Sequence, residues 1–490
     1  MKRKKKILIW LTIVTIFFLV AAVVSARWVK FQKERPLCPR CNIVLIDIDI
    51  LRADALPCYG YKRNTAPNIC ALAQKGLVFT DNYAQSTWTL PSMMSTITSQ
   101  YPFNHGVLKT YRGALDYNTP SLAQALRSAG YKTFFLGSVM PETITDVNGG
   151  TRGYDVIQSA SVDSWPTLVT TLLKRGAPFF LHLYTNSLHM PYLLDKESQL
   201  LEPVPRPAGF PVTPKEFSSL VGSSLYNNYT RVFTPLAISE RNDLFATISA
   251  TRPQALIDYY WSLVKINDPR RINNGGWLVK YDTYIDAILK NEPTSGPYTR
   301  LLYDSVLAQL DKSVNNTIKL FDSSGIKEKT IIVVYSDHGE EFGERGRYGH
   351  PQSLYNEIIR TPLILYIPGS TPKKILNVTR NIDLFPTLVS LVGIEPPGSL
   401  RGYSLAPLLR GAPEQKGRLA VSQSGENGFS IYDGVWKLII KNQPSPLVGA
   451  ELYRLPVDPG ETNNVIENNI PVAQSLLAEL NNILGEEQAR

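Results

Sequence analysis

Residues 42–49 read NIVLIDID, and this stretch decides the fold class. It is a nearly continuous apolar run, as expected of a central parallel strand that is covered on both faces. The run closes on Asp49, and ligands of open α/β sheets bind beyond the carboxyl ends of the strands. A carboxylate there suits a hard divalent cation. The stretch therefore predicts a buried strand that carries Asp49 to a metal site.

A second strand of the same kind lies far along the chain, in residues 331–350, which read IIVVYSDHGEEFGERGRYGH. Its apolar run is followed by Asp337 and His338. Adjacent residues at a strand end can both turn onto one ion as the chain leaves the strand, and carboxylate and imidazole are both metal ligands. We therefore expect Asp337 and His338 to share an ion with Asp49.

Short strands and helices alternate between these two stretches. Residues 121–131 have helical spacing, and apolar strands are predicted at residues 133–137 and 178–184. The alternation predicts an α/β fold with a doubly wound central sheet. Residues 193–298 break it, being rich in Pro, Tyr, Asn and Ser. They are interpreted as an insertion over the active site that sets substrate choice, or else as a decorative or oligomerisation element.

The composition is that of a globular protein. The 490 residues suffice for one large α/β domain and a smaller one, and the hydrophobic fraction of 43% argues against a disordered or polytopic chain. The formal net charge of +9 is concentrated at the N-terminus, where residues 2–6 read KRKKK. No stripe of Lys and Arg interleaved with aromatic residues follows, so nucleic acid is not expected as a partner.

The N-terminus carries a predicted transmembrane helix. Residues 7–26 are 20 positions without a charge, about the length that crosses a bilayer as a helix. The basic residues before the span predict a cytoplasmic N-terminus at residues 1–6 and a catalytic part on the periplasmic or extracellular side. Residues 27–41 form a linker. The alternative is a cleaved signal peptide ending in VSA at residues 24–26, which would give a secreted protein.

The four cysteines are Cys38, Cys41, Cys58 and Cys70. A C-x-x-C pair can be a redox site or half of a zinc site, but no second pair or histidine spacing completes a zinc site, and no thioredoxin-like context surrounds the pair. In an exported chain, structural disulfides are expected. The predicted pairs are Cys38–Cys41, at the entry to the first strand, and Cys58–Cys70.

Thr89 lies just before Pro91 and a predicted helix that begins SMMSTITS at residue 92. A hydroxyl at a helix N-terminus sits in a positive field beside unpaired backbone N–H groups. That setting suits a nucleophile that attacks an anionic ester, and it also suits a simple N-cap. Ser86 and Ser92 are nearby alternatives as the attacking group.

In the order of their motifs, residues 42–107 and 331–350 resemble the sulfatase family of the alkaline-phosphatase superfamily. The first stretch contains TLPSM at residues 89–93, at the position of the family's C-x-P-S-R motif. The resemblance implies an alkaline-phosphatase-like catalytic domain over residues 42–415. It also implies a small C-terminal antiparallel α+β subdomain over residues 416–490.

The resemblance also implies a ligand set for one divalent ion, which could be Mn²⁺, Mg²⁺, Ca²⁺ or Zn²⁺. The implied ligands are Asp49, Asp337, His338 and Thr89. Sulfatases carry a second acid after the first aspartate, and here that position is Ile50. The loss of one oxygen ligand favours a single metal site.

Four further residues are candidates for contacts with the ester. His189, in the segment LHMPY, resembles the family's histidine that contacts the anion or protonates the leaving group, and His350 is a candidate for the same pocket. Arg52 and Lys109 are candidates for neutralising substrate oxygens, and for both a solvated surface position is the alternative.

One substitution controls the implied chemistry. In sulfatases, the cysteine or serine of the motif becomes formylglycine, which releases sulfate by elimination; this chain has Thr89 there, and Met93 in place of the arginine. A threonine ester must be broken by direct attack of water or an alcohol, which is ordinary for phosphorus. The sequence therefore predicts a hydrolase or transferase of phosphodiesters or phosphomonoesters of an envelope lipid or glycan. The alternatives are a sulfuric ester hydrolase acting on sulfated glycans and an inactive, anion-binding family member.

Overall fold

The computed structural model describes residues 36–216 and 295–485 apart from short gaps. The gaps are residues 109–112, 138–142, 175, 177, 191, 195, 197–198, 208–211, 214, 351–352, 413–417, 426–427 and 442–446. The membrane segment predicted at residues 7–26 lies outside the described residues, and so does most of the insertion predicted at residues 193–298. Among the helices that are described, none combines the length and the apolar character needed to span a membrane.

The strands form one large and two small sheets. Numbered in chain order, the described strands are β1 (Asn42–Ile48), β2 (Leu77–Tyr83), β3 (Lys132–Gly137), β4 (Val156–Ser159), β5 (Phe179–Thr185), β6 (Thr330–Tyr335), β7 (Glu341–Phe342), β8 (Tyr348–Gly349), β9 (Arg360–Tyr366), β10 (Lys373–Arg380), β11 (Ala420–Ser424), β12 (Gly428–Tyr432), β13 (Trp436–Ile440) and β14 (Glu451–Arg454).

The α-helices lie between the strands. In chain order, the described ones are α1 (Pro67–Ala73), α2 (Thr89–Thr98), α3 (Pro102–His105), α4 (Leu122–Ser128), α5 (Trp165–Leu173), α6 (Ser295–Ser323), α7 (Asn356–Ile359), α8 (Leu384–Val392), α9 (Ala406–Leu409) and α10 (Ile470–Gly485).

The central sheet has eight strands in the order β10-β2-β9-β6-β1-β5-β3-β4. β1 lies inside it, parallel to both β5 and β6. The sheet is mixed, because β9 runs antiparallel to both β2 and β6. Between β6 and β9 the chain forms the hairpin β7–β8 and helix α7 and then pairs β9 alongside β6 in the opposite direction. No long crossover brings it back to the start of β6, so β9 returns antiparallel.

Helices cover both faces of this sheet, as the apolar run in β1 predicts. Ile43 and Leu45 of β1 pack in one core with residues of α2, α4 and α8. Val44 and Ile46, which point the other way, pack in a second core with residues of α1, α5 and α6. The predicted doubly wound α/β arrangement is therefore confirmed, with the antiparallel β9 as the exception.

A second sheet follows near the C-terminus. Strands β11 to β14 are antiparallel and in sequential order, and α10 packs on them through Ala473, Leu476 and Leu480. This confirms the predicted C-terminal antiparallel sheet. Lys437 of this sheet forms a fully buried ion pair with Glu461 of the same subdomain, with Nζ 2.6 Å from Oε1. It also donates to Asn356 Oδ1 at 2.9 Å, and this hydrogen bond joins the sheet to the large domain.

Both predicted disulfides are present. Cys38–Cys41 closes the turn directly before β1. Cys58–Cys70 links the loop that follows β1 to α1. The two bridges therefore flank the strand that carries Asp49 and restrict the chain on either side of it.

Candidate metal and nucleophile site

Two strand ends meet at the candidate site. β1 and β6 are neighbours in parallel register, with Asp47 opposite Tyr335. Asp49 follows the end of β1, and Asp337 and His338 follow the end of β6. All three are buried, and one ligand atom from each lies within 4.8 Å of the others. The structure thus brings together the three residues that the sequence assigns to one ion.

Asp49 and Asp337 each have one buried carboxylate oxygen that faces the space between these two residues and His338. Asp49 Oδ2 accepts from the Tyr184 hydroxyl at 2.9 Å, and Asp337 Oδ1 accepts from the His338 backbone N–H at 2.9 Å. Within the described part of the chain, Asp49 Oδ1 and Asp337 Oδ2 have no hydrogen-bond partner. Each lies 3.6 Å from His338 Nε2. Buried carboxylate oxygens without donors fit a divalent cation, which prefers hard oxygen ligands.

The protonation state of His338 is also the one that suits a bound cation. Burial lowers the pKa of His338 to about 3, so the imidazole is neutral near pH 7. Its Nδ1 lies 2.9 Å from the Gly339 carbonyl oxygen, which can only accept a hydrogen bond, so Nδ1 carries the proton. Nε2 therefore presents its lone pair to the carboxylates, and a neutral imidazole in this tautomer is the form that binds a metal.

The two carboxylates raise a charge problem for the protein without a cation. Burial raises the pKa of Asp337 well above its ordinary value of 3.8, and the neighbouring charge of Asp49 raises it further. Burial disfavours any isolated charge, and a second like charge close by adds repulsion. A bound cation would remove both penalties, so the electrostatics and the donor set favour the same occupant.

Thr89 opens helix α2 and faces the same space. Its Oγ1 lies 3.2 Å from His338 Nε2, and because that nitrogen carries a lone pair, the hydroxyl donates. The N-cap position of the helix is occupied by Trp88, whose side chain forms no cap. Thr89 therefore does not act as the N-cap. Its hydroxyl lies at the positive end of the helix dipole, beside the metal-ligand candidates.

The alternative hydroxyls make other contacts. Ser92 Oγ donates to the Asp337 carbonyl oxygen at 2.6 Å, one turn into α2. Ser86 forms an isolated backbone bridge with Gln423 at the edge of the C-terminal sheet. The Ser92 bond joins the start of α2 to the end of β6, and it thereby holds Thr89 close to Asp337 and His338.

His189 and His350 lie beside His338. The ring centroids of His338 and His350 are 4.8 Å apart, and those of His189 and His350 are 5.0 Å apart. His189 Nδ1 lies 2.9 Å from the Met190 carbonyl oxygen, which fixes the orientation of its ring. The structure therefore places both predicted anion contacts on one side of the site, although they come from segments about 160 residues apart in the printed sequence.

The predicted substrate contacts Arg52 and Lys109 have different outcomes. Arg52 is buried, and its guanidinium forms ion pairs with Asp54 at 2.6 Å and Glu344 at 2.5 Å. It also donates to the Glu340 carbonyl oxygen at 2.7 Å. These contacts favour a structural role for Arg52 over the predicted substrate contact. In that role, Arg52 connects the loop after β1 to the turn after β6. Lys109 lies outside the described residues.

The backbone on both sides of the site is unusual, and the sequence analysis did not expect it. A Cβ at Gly339 would lie 2.0 Å from the Glu357 carbonyl oxygen, so only glycine fits there. Ile50 adopts φ 55°, a left-handed conformation that is rare for a β-branched residue. Such conformations persist where the surroundings enforce them, and here Tyr303 donates from its hydroxyl to the Ile50 carbonyl oxygen at 3.0 Å.

Glu340 is a polar residue beside the site that the sequence analysis left without a role. It is fully buried, with one carboxylate oxygen 3.1 Å from His350 Nδ1 and the other accepting from the Tyr192 hydroxyl at 2.8 Å. Its position directly after the D-H-G motif is the only sequence signal for it. The motif does not reveal burial, because an acid in a turn is ordinarily solvated.

Comparisons with known proteins agree with this architecture. The sulfatase family model matches residues 41–394, and a model of the C-terminal part of N-sulphoglucosamine sulphohydrolase matches residues 343–490. The chain is 24% identical to a choline-sulfatase of Rhizobium meliloti, over 89% of this chain and 84% of that protein. It is 25% identical to human arylsulfatase A, over 87% of this chain and 83% of that protein.

Solved structures show the same fold. A phosphonate monoester hydrolase of Agrobacterium radiobacter superposes with a TM-score of 0.63 at 18% identity, covering 91% of this chain and 96% of that one. A protein solved with its substrate D-glucosamine-2-N,6-O-disulfate superposes with a TM-score of 0.62 at 20% identity, covering 92% of this chain and 98% of that one. Since the sulfatase family model spans well over half of the sequence, the chain belongs to the sulfatase family of the alkaline-phosphatase superfamily and is a hydrolase of that family.

Proposed function

We propose that this chain is a metal-dependent hydrolase of phosphate esters, and that Thr89 is its nucleophile. The observation that carries the proposal is the position of the Thr89 hydroxyl, 3.2 Å from His338 Nε2 and beside two buried carboxylate oxygens without donors. A hydroxyl in that position can form a covalent ester with a transferred group. The convergence of all three metal-ligand candidates supports an active enzyme over an inactive family member that only binds an anion.

Each group around the site has a role in the proposed reaction. A divalent cation held by Asp49, Asp337 and His338 would supply positive charge that lowers the pKa of the Thr89 hydroxyl. The Thr89 hydroxyl releases its proton to solvent, its oxygen attacks phosphorus, and the bond from phosphorus to the leaving oxygen breaks. His189 or His350 protonates that oxygen, so the first step yields a phosphothreonine and a free alcohol. Water then attacks phosphorus and gives a proton to that histidine, the bond from phosphorus to the Thr89 oxygen breaks, and a proton from solvent restores the hydroxyl. A monoester substrate releases phosphate, and a diester releases a phosphomonoester.

The choice of phosphorus over sulfur rests on Thr89. As the family resemblance implies, sulfatases release sulfate through an aldehyde hydrate, and a threonine ester has no such route. Direct attack of water or an alcohol at the central atom must then complete the cycle, and such a displacement is ordinary for phosphorus. Structures of the same fold include phosphonate monoester hydrolases from Agrobacterium radiobacter and Silicibacter pomeroyi, so the fold is compatible with phosphorus chemistry.

A sulfate-ester hydrolase is the second candidate function. The curated relatives favour it, since they include a choline-sulfatase, arylsulfatases and an N-acetylglucosamine-6-O-sulfatase. Under this alternative, the substrate would be a sulfated glycan. Thr89 would then have to position the ester or a water molecule without being converted to an aldehyde.

We also propose that the protein acts at the cell envelope. The basic residues 2–6 and the apolar residues 7–26 support a single-pass anchor with the catalytic domain on the periplasmic or extracellular side. A lipid or glycan of the envelope would then be within reach of the site. Both disulfides support an oxidising compartment, in which such bridges persist.

The substrate class is tested by a paired assay of the purified, Mn²⁺-loaded protein. We expect turnover of p-nitrophenyl phosphate or bis-p-nitrophenyl phosphate to exceed that of p-nitrophenyl sulfate, and a chelator to abolish it. Faster hydrolysis of the sulfate ester would refute the phosphate assignment and favour the second candidate function.

The nucleophile is tested by Thr89→Val, which removes the hydroxyl and conserves the shape of the side chain. We expect turnover of the phosphate ester to fall by about 10³-fold or more, because the lost group acts in the transition state. Rapid quenching of the wild type should trap phosphate on Thr89. The matched control is Thr96→Val in the same helix, where the hydroxyl bonds only to the Ser92 carbonyl oxygen among the contacts described. Retained activity in Thr89→Val would eliminate the covalent step through this residue.

The metal site is tested by Asp337→Asn. Because the folded protein raises the pKa of Asp337, the contribution of this group to stability is present below about pH 3.8 and is lost as the pH rises through the raised pKa. Near pH 7 the metal-free variant should therefore be more stable than the wild type, by about 1–3 kcal/mol. The same change should abolish stabilisation by Mn²⁺, which in the wild type reaches about 2.7 kcal/mol at 100 times the Kd.

Thermal unfolding with and without Mn²⁺ measures both effects. Asp311→Asn is the control, since Asp311 is also buried but accepts hydrogen bonds from Asn68 and Ile69, away from the site. It should keep the full response to Mn²⁺. An unchanged Mn²⁺ response in Asp337→Asn would show that Asp337 is not a ligand.

The location is tested by fractionating cells that express the full chain. We expect the protein to sediment with membranes, and protease added from outside to digest the catalytic domain. A variant without residues 1–26 should remain in the soluble fraction. Recovery of a soluble wild-type product that begins at Arg27 would instead establish a cleaved signal peptide.

A further inference from the structure

We infer that Glu340 is a positioning residue that holds both histidines of the anion pocket at once. Its side chain is fully buried, and its two carboxylate oxygens point to different partners. One oxygen lies 3.1 Å from His350 Nδ1, and the other accepts from Tyr192. The inference rests on the proposed role of His189 and His350 as contacts to the ester anion.

The first arm of Glu340 fixes the ring of His350. A carboxylate oxygen only accepts hydrogen bonds, so the nitrogen that faces it must carry a proton. His350 Nδ1 therefore carries a proton, and the contact of the ring with a substrate oxygen runs through Nε2, which must carry a second proton to donate to that anionic oxygen. The side chain of His350 is 25% exposed, so the ring lies at the border between the buried site and solvent, where an ester anion would arrive.

The second arm acts on the segment that carries His189. Tyr192 follows His189 by three residues, and its hydroxyl donates to Glu340 at 2.8 Å. The Tyr192 ring is buried and packs against Tyr303 and Phe342, with ring centroids 5.8 Å away in both cases. Through Tyr192, Glu340 therefore also restricts the segment of His189.

The backbone of Glu340 is held as firmly as its side chain. Its N–H donates to the Glu357 carbonyl oxygen at 3.1 Å, and its own carbonyl oxygen accepts from Arg52 at 2.7 Å. The Arg52 guanidinium does not contact the Glu340 carboxylate; among the described ion pairs, that carboxylate pairs with His350 alone. A buried carboxylate ordinarily needs a charged or donating partner. Here the partners belong to the two segments that carry the anion contacts.

These contacts connect the metal-ligand candidates and the anion contacts through one turn of the chain. The turn after β6 supplies the metal-ligand candidates Asp337 and His338, and two residues later Glu340 supplies the carboxylate that orients His350 and, through Tyr192, the segment of His189. Anion contacts and metal ligands are thereby held in one frame. Removal of a hydrogen-bond partner behind a metal ligand commonly costs about 10–100-fold in metal affinity or activity, and we expect a loss of that order for the anion contacts here.

The test measures the affinity for inorganic phosphate by calorimetry, using the full-length protein in detergent with Mn²⁺ bound. Glu340→Gln keeps the shape of the side chain and removes its charge. We expect it to lower the affinity for phosphate by about 10-fold or more. We also expect it to leave the affinity for Mn²⁺ and the unfolding temperature near those of the wild type. Tyr192→Phe should give a smaller loss, since it removes only the second arm.

A double-mutant cycle separates positioning from a general structural role. If Glu340 acts on both histidines, the loss in Glu340→Gln should shrink once His350→Ala is already present, to about the loss that Tyr192→Phe gives alone. Glu341→Gln is the matched control, because Glu341 is equally buried but bonds to Arg347 and Ser353. It should leave the affinity for phosphate unchanged.

Two results would overturn the inference. One is a loss of affinity in Glu340→Gln that is as large in the His350→Ala background as in the wild type. The other is an equal loss in Glu341→Gln. A wild-type protein that binds phosphate but hydrolyses no phosphate ester would refute the proposed function, and the cycle would still decide the role of Glu340.

Discussion

Two aspartate carboxylates held side by side in the protein interior are the constraint on which the site depends. Asp49 and Asp337 end neighbouring strands, and their oxygens lie within 4.8 Å of each other. Two like charges at that distance repel by about 3–4 kcal/mol at an effective dielectric constant of 20. The parallel pairing of β1 and β6 enforces the approach, and without a cation the burial of both groups is unfavourable. The fold therefore holds two acids whose simultaneous ionisation a bound cation would stabilise.

Short hydrogen bonds between the two strand ends hold this arrangement. The Leu51 N–H donates to Ser336 Oγ at 2.9 Å, and the same hydroxyl donates to the His338 carbonyl oxygen at 2.6 Å. Arg52 adds a charge-assisted bond to the Glu340 carbonyl oxygen. Each bond joins the loop after β1 to the turn after β6 or stiffens that turn. Joining the two segments requires a left-handed backbone at Ile50, and such a conformation costs about 1–3 kcal/mol for a residue of this type.

The C-terminal sheet takes part in the same arrangement. The edge strand β11 runs along the segment before Thr89, where Ser422 Oγ donates to the Ala84 carbonyl oxygen at 2.6 Å and the Gln423 N–H donates to the Gln85 carbonyl oxygen at 2.9 Å. Near the turn after β6, Lys437 Nζ donates to Asn356 at the start of α7. The next residue, Glu357, accepts a hydrogen bond from the Glu340 N–H through its carbonyl oxygen. The small sheet therefore supports both the start of α2, which carries Thr89, and the turn that carries Asp337 and His338.

Local sequence patterns predicted the central strands, the C-terminal sheet and most of the residues that meet at the site. A nearly continuous apolar run such as the one before Asp49 is typical of a strand that is buried on both faces, so the doubly wound sheet and the strand-end acid follow from local pattern. The motif order identified Asp337, His338 and Thr89, and the exported context predicted both disulfides. Tertiary structure alone decided what depends on distant partners: the antiparallel β9, the engagement of Arg52 by Asp54 and Glu344, and the burial of Glu340 between His350 and Tyr192. The physical reason is that residue type and spacing encode which face of an element is apolar. Whether a charged side chain ends in water or in the interior depends on which segments, remote in sequence, fold over it.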